Sequence, residues 1–401
     1  MIALVVQTFQ VVLIATPQQF LNISTQVDTS FQLIADLDFT NVVFVPQIIS
    51  GTFNGNNHVL KNIKIYGTET AVNSNLYQSI FGSSCGLTQI SNLIVQNLQL
   101  SELSNSSDFS ATLVSSFILS EGSASFTNVH IRNATAYLNG IQLKRVFGGF
   151  VGHLTGSNTV INCSLDAEIQ LSSLSQVRTK VFAVGGLFGM QYGNSIVNRT
   201  QTVTRVKSRL QIQKIYIGGI SGLSKNSLQM ELSTTFLTVT ASQLPTAIIG
   251  GIVASSSSSV NLLNCKQVLN GAMSQSAQPL EIGHAASITA EKIVSDDSVS
   301  VQPSAGLQIT QCTDCFQYTT NAPVQTEQRI TEPKLTTTYT NFDFVNIWTL
   351  VKSDLNNQTS AFGIFKHNVF SIMYKCYLRC NKLRMLPTDL YFKYKHQQHL
   401  W

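Results

Sequence analysis

Short runs of alternating apolar and polar residues cover most of the chain, and they recur at a fixed distance. The stretches FGGFVG (147–152), FAVGGLFGM (182–190), IGGISG (217–222) and IGGIVA (249–254) each place a Gly-Gly pair before an apolar residue. Their first glycines, Gly148, Gly185, Gly218 and Gly250, are 37, 33 and 32 residues apart. Gly283 in EIGHAAS continues the series; Ser115 and Gln78 extend it backwards, with Gly82 matching Gly152, Gly189 and Gly222. A second register keeps step with the first. Apolar stretches centred on Asn62, Asn92, Asn128, Asn162, Asn198 and Asn264 recur, Met230 fills the vacant place before Asn264, and Gln311 follows. A shared period of ~34 residues marks units that cannot bury an apolar face alone but can do so by stacking.

The segments between the motifs, such as NLIVQNLQL and KIYIGGI, have the period of two expected of strands. Before residue 340 no stretch keeps a helical period over three turns. The pattern predicts an all-β, single-stranded parallel β-helix of seven to eight coils. Equivalent side chains in adjacent coils then stand ~4.8 Å apart. An Asn column can form an amide ladder, because its side chain both donates and accepts. Asn62, Asn92, Asn128, Asn162 and Asn198 are expected to form it at an inward turn, with Met230 interrupting and Asn264 resuming. The pairs Gly148–Gly149, Gly185–Gly186, Gly218–Gly219 and Gly250–Gly251 are expected where a Cβ would clash. Phe150, Leu187, Ile220 and Ile252 would fill the core.

GGFVG, GGLFG and GGISG, each followed by a loop and an Asn-centred strand, resemble GLUG-motif repeats. QLIADLDFTN (32–41) and GTFNGNNHVLKNIKIYG (51–67) are similar to the opening block of such arrays, with Asn54 in place of the usual Asp, and NFDFVNIWTL (341–350) is similar to their closing segment. The resemblance spans about residues 15–350. It implies a right-handed β-helix on secreted or surface proteins, often adhesins, and sometimes a non-catalytic region of secreted peptidases.

Composition narrows the reading. Of 401 residues only 11% are charged, about half the usual share. Ser, Thr, Asn and Gln supply the polarity, which suits an extracellular or cell-surface protein. The net charge of +5 comes from residues 366–401, which hold seven Lys/Arg against Asp389; the remainder is near neutral, with no basic stripe for nucleic acid. Three regions follow: an apolar N-terminal segment (1–30), the repeat array (31–350) and a basic, poorly ordered or partly helical tail (351–401). The segment MIALVVQTFQVVLIAT reads either as a weak signal peptide ending near Ala15 or as the first capping strand. No apolar run reaches the ~18 residues of a membrane-spanning helix.

Candidate chemistry is sparse. Cys163, Cys265 and Cys312, among seven cysteines, each follow a ladder position. Cys163 and Cys265 stand three coils, ~14 Å, apart, too far for a disulfide. Cys265 and Cys312 would be neighbours if the loop between them added no coil. Buried free thiols are the expected state, and the spacing of Cys312, Cys315, Cys376 and Cys380 is unusual for zinc. Of six sequons, Asn22, Asn105, Asn133 and Asn357 are the glycosylation candidates; Asn162 and Asn198 fall on the ladder. Asp36 and Asp38 share a strand face ~7 Å apart, a separation open to an inverting carboxylate pair, but no His or Arg partner is evident. His58, His130 and His153 fall in different registers and make no metal-ligand spacing. No catalytic residue, metal or cofactor is assigned. The expected function is non-catalytic adhesion by a monomeric β-solenoid to a surface protein or glycan. The alternatives are a carbohydrate-active lyase or hydrolase, or a passive stalk for another domain.

Overall fold

The computed structural model describes residues 11–23, 29–66, 70–72, 75–101, 112–138, 144–172, 181–208, 215–241, 247–273, 281–282, 284–291, 294–299, 311–313, 316–319, 348–353 and 358–363. It is an all-β parallel solenoid, and Pro17–Phe20 is the one α-helix among the described residues. Residues 181–208 show the build of one turn. Strands Val181–Gly185, Phe188–Gln191, Ser195–Asn198 and Gln201–Ser208 follow one another around four walls. Each strand pairs in parallel with its counterparts one turn before and after.

Five turns of this build run between Thr112 and Met273, fewer than the seven to eight expected. Beyond these five, parallel pairing continues less regularly at both ends, through the strands of 75–101 and 281–299. The first-wall strand at the far end shrinks to Glu281–Ile282, and at the near end Asn75–Gln78 pairs antiparallel with Thr70–Val72.

Alternation decides which side chains enter the core. In Ser164–Leu171, residues Leu165, Ala167, Ile169 and Leu171 are buried, while Asp166, Glu168 and Gln170 face outward. Phe147, Val184, Ile217 and Ile249 stack from the first wall. Phe150, Leu187, Ile220 and Ile252 stack at the corner after it. Fully burying such side chains stabilises by about 1.5–3 kcal/mol each. The N-terminal end is closed by the short helix. Thr16 and Gln19 form a reciprocal capping box, and Pro17 sits in the first turn. Phe20 then packs among Phe39, Phe44, Phe53 and Phe81, with centroids 5.6–6.1 Å away.

The glycine pairs are steric requirements. A Cβ on Gly148, Gly185, Gly218 or Gly250 would overlap the carbonyl oxygen three residues further along the same chain. A Cβ on Gly149, Gly186 or Gly219 would overlap the carbonyl of the second glycine one turn on. On Gly251 it would strike the Gln267 side chain. The stack is tied by Gly149 N to Gly185 O, Gly186 N to Gly218 O and Gly219 N to Gly250 O, each 3.1 Å. The glycine after the pair has its own reason: a Cβ on Gly152 or Gly189 would enter Val114 or Val146 of the first wall.

The Asn ladder differs from the expected one. There are two ladders, both on partly exposed corners rather than inward. In the first, Asn92 Nδ2 donates to Asn54 Oδ1 (3.1 Å), Asn128 to Asn92 (2.9 Å) and Asn162 to Asn128 (2.6 Å). In the second, Asn97 donates to Asn62 (3.1 Å) and Asn133 to Asn97 (2.7 Å), so Asn62 belongs here. The second ends at Asn133 because its corner is lost: between Ile131 and Ala134 the register with the next turn shifts.

Asn198 is also displaced. It pairs with Ile161, and Arg199 takes the corner. Asn92, Asn128, Asn162, Arg199, Leu232 and Asn264 all have φ between 48° and 55° at this column. Left-handed backbone, which Asn tolerates better than most residues, unites the column. The amide ladder is a consequence where Asn residues adjoin. Met230 does not interrupt it: Met230 is a core residue, in line with Val197 and Leu262.

Candidate binding faces

In the turn over residues 181–208 the fourth-wall strand, Gln201–Ser208, is the longest of the four. Outward positions line up from turn to turn. One row runs Tyr66, Ser101, Tyr137, Gln170, Lys207, Thr240. Beside it runs Lys64, Gln99, Thr135, Glu168, Arg205, Thr238. Tyr66 is 47% exposed, and Tyr66 and Tyr137 stand two strand spacings, ~9.6 Å, apart with only a serine between them. Further along, the charges pair diagonally across one strand gap. Arg205 Nη1 meets Asp166 Oδ1 at 2.7 Å, and Lys207 Nζ meets Glu168 Oε1 at 2.8 Å. Gln170 Nε2 donates to the same Glu168 oxygen (2.7 Å). The face therefore offers aromatic rings, amides, hydroxyls and mutually neutralised charges, a mixture suited to a polar polymer.

Asp36 and Asp38 do have partners. Asp36 Oδ1 accepts from Val59 N (3.0 Å) and meets His58 Nδ1 (3.0 Å), and these bonds hold its carboxyl below the usual range. Asp38 Oδ1 accepts from the Thr40 hydroxyl (2.6 Å) and from Asn62 Nδ2 (2.9 Å), with Lys61 Nζ 3.5 Å from its other oxygen. Its carboxyl is held well below the ordinary range by the same bonds, that of Thr40 first. The sequence missed His58 because the pairing runs between rungs, 22 residues away. Both carboxylates are occupied in joining the first rungs, and Asp38 also heads the second Asn ladder.

The remaining histidines are separate too. His130 Nδ1 lies 2.9 Å from Ser164 Oγ, and burial lowers its pKa to about 4. His153 Nδ1 lies 3.1 Å from Glu121 Oε1. Among the described residues no group of three His, Cys, Asp or Glu side chains gathers to hold a metal.

Cys163 and Cys265 are buried free thiols, and burial pushes both up to about 12. They occupy one column with Thr200 and Ser233, just after the left-handed corner residue. Each turns back to the carbonyl two residues earlier: Cys163 to Ile161 (3.2 Å), Thr200 to Asn198 (3.0 Å), Ser233 to Glu231 (2.7 Å) and Cys265 to Leu263 (3.2 Å). In these four turns the position holds a small side chain with one donor, and cysteine fills it as serine does; in the turns before them it holds Leu93 and Val129. Cys312 is not the neighbour of Cys265; it pairs with Ala290, which in turn pairs with Leu262.

Asn22 is exposed beside the capping helix. Asn133 is exposed, but its amide is committed to Asn97. Asn162 and Asn198 are likewise bonded, Asn198 to Glu231 Oε2 at 3.5 Å. Asn105, Asn357, Cys315, Cys376, Cys380, Gly283 and the tail beyond residue 363 lie outside the described residues. No described helix is long and apolar enough to cross a membrane.

No protein-family model matches the chain. No curated protein matches it either. Among solved structures, it is similar to a crystal structure from Bacteroides ovatus described as a "putative immunoglobulin A1 protease", at 16% identity and a TM-score of 0.43, covering 87% of this chain and 91% of that one.

Proposed function

We propose that this protein is a non-catalytic, secreted or cell-surface β-solenoid that binds glycan through the outer face of its fourth wall. One observation carries the reading: the row Tyr66, Ser101, Tyr137, Gln170 and Lys207, aligned one residue per turn along the axis. Tyr rings present an apolar face and a polar edge, and they are rigid, so they bind with little loss of side-chain entropy. Hydroxyl and amide groups between them meet the alternating polarity of a sugar chain laid along the solenoid. The sparse charge supports an extracellular setting, and the resemblance to GLUG-motif arrays points to the same surface role in a right-handed coil. The protein acts as a monomer without cofactor or nucleic acid.

The test is retention of the full chain on immobilised neutral and acidic polysaccharides and mucins, compared with a Tyr66→Ala/Tyr137→Ala double variant. At least tenfold weaker retention of the double variant is expected. Equal retention of both proteins would overturn this assignment of the face.

A further inference from the structure

A second site departs from the repeat. Glu121 and His153 occupy one register in adjacent turns, and the same register then holds Met190 and Leu223. The fold thus accepts apolar side chains here, and a half-buried Glu–His pair is a local choice that packing does not impose. Such departures from a repeat's own rule concentrate at functional positions.

Glu121 and Tyr192 hold the imidazole, and Tyr77 holds Glu121. Glu121 Oε1 meets His153 Nδ1 at 3.1 Å, and its other oxygen accepts from the Tyr77 hydroxyl on the first wall. These two bonds, that of His153 first, keep the carboxyl below its ordinary range despite burial. A carboxylate can only accept, so Nδ1 carries a proton, and the tautomer this selects presents Nε2 as the acceptor. The Tyr192 ring stands edge-on to the imidazole, with centroids 5.1 Å apart and planes at 80°, and is itself 43% exposed.

Tyr192 is firmly mounted. Its N–H donates to Leu154 O (2.8 Å), and its carbonyl accepts from the Asn226 side chain. A Cβ on the next residue, Gly193, would overlap the Gly156 backbone. Asn194, exposed two residues on, accepts from Ser227 Oγ at 2.9 Å.

We infer that Tyr192 and His153 form a binding subsite for a single hydroxylated sugar ring, stacked on Tyr192 and donating a hydroxyl hydrogen bond to His153 Nε2. Glu121 and Tyr77 are positioning residues that fix the tautomer. The choice of a sugar rests on the proposed glycan-binding role, but the subsite shares no residue with the fourth-wall row.

Saturation-transfer NMR of the full chain carrying Tyr66→Ala/Tyr137→Ala, which silences the fourth-wall face, with a panel of methyl glycosides tests it. Transfer to at least one glycoside is expected, reduced at least tenfold in both Tyr192→Ala and His153→Phe. In Glu121→Gln the amide can donate to Nδ1 and turn Nε2 into a donor, so binding should weaken while the melting curve keeps its single transition. Restoring Tyr66 and Tyr137 should leave the Tyr192- and His153-dependent transfer unchanged, which separates this site from the fourth-wall face. No transfer to any glycoside, or transfer unchanged in Tyr192→Ala and His153→Phe, would overturn the inference.

Discussion

At Asn128 one side chain does two jobs. Its φ of 55° needs a residue that tolerates the left-handed region, and its amide bridges Asn92 and Asn162. Two substitutions separate these roles. Asn128→Gly keeps the backbone and loses only the amide bonds, each worth about 0.5–1.5 kcal/mol. Asn128→Ala adds about 1–2 kcal/mol for a Cβ in the left-handed region. Urea unfolding should therefore rank wild type above Gly and Gly above Ala; equal midpoints for Gly and Ala would remove backbone conformation as the cause. Gly186→Ala should cost at least about 2 kcal/mol, because the obstacle is a neighbouring backbone carbonyl that cannot rotate away. A melting temperature within 1 °C (roughly) of wild type would contradict that steric account. At this scale the glycines were legible because a missing side chain leaves a periodic mark. The corner column was read one residue out at Asn198, since Arg199 and Leu232 carry no sign of a positive φ.

Single strands show a different balance. The alternation that buries Leu165, Ala167, Ile169 and Leu171 is plain in the sequence, as is the stacking of Phe150, Leu187, Ile220 and Ile252. Pairings between rungs are not plain, because they join residues more than 20 positions apart whose chemistry shows no local pattern. His58 with Asp36 and Tyr77 with Glu121 are of this kind. So are the two Asn ladders, whose members interleave along the chain and were read as one.

The rung contacts predict a pH response. The pKa values of Asp36, Asp38 and Glu121 are lowered in the fold, so each contributes stability that is present above its ordinary range and lost as pH falls through the folded value. The unfolding midpoint should fall on acidification. An Asp36→Asn/Asp38→Asn variant should show a shallower fall, and an unchanged slope would mean that these two bonds do not couple to folding. Cys163 and Cys265 make a second prediction for the corner column. Peptide mapping after iodoacetamide treatment at pH 8 should find both unmodified in the native protein and modified in urea, because burial keeps each thiol protonated. Rapid native labelling of either would place it outside the core.

The described residues form a stack of turns with the short helix at its N-terminal end and a long outer face. Its period was readable from glycine and asparagine spacing, but the number of turns was not, because motif positions persist where the strands have shortened. Nor could composition locate the proposed binding face: Tyr66 and Tyr137 lie 71 residues apart and become near neighbours only when the register places Ser101 between them. Solenoids of this kind gain function from rows that run across repeats, so the row is the unit to test. The most direct measurement incubates the full chain with surface-bound polysaccharides and mucins and records, in the same wells, retained protein and newly formed reducing or unsaturated ends. Retention without new ends is the predicted result. New ends that appear with the wild type would contradict a purely binding solenoid, and their loss in Asp36→Asn, Asp38→Asn or His153→Phe would identify the carboxylates or the imidazole responsible.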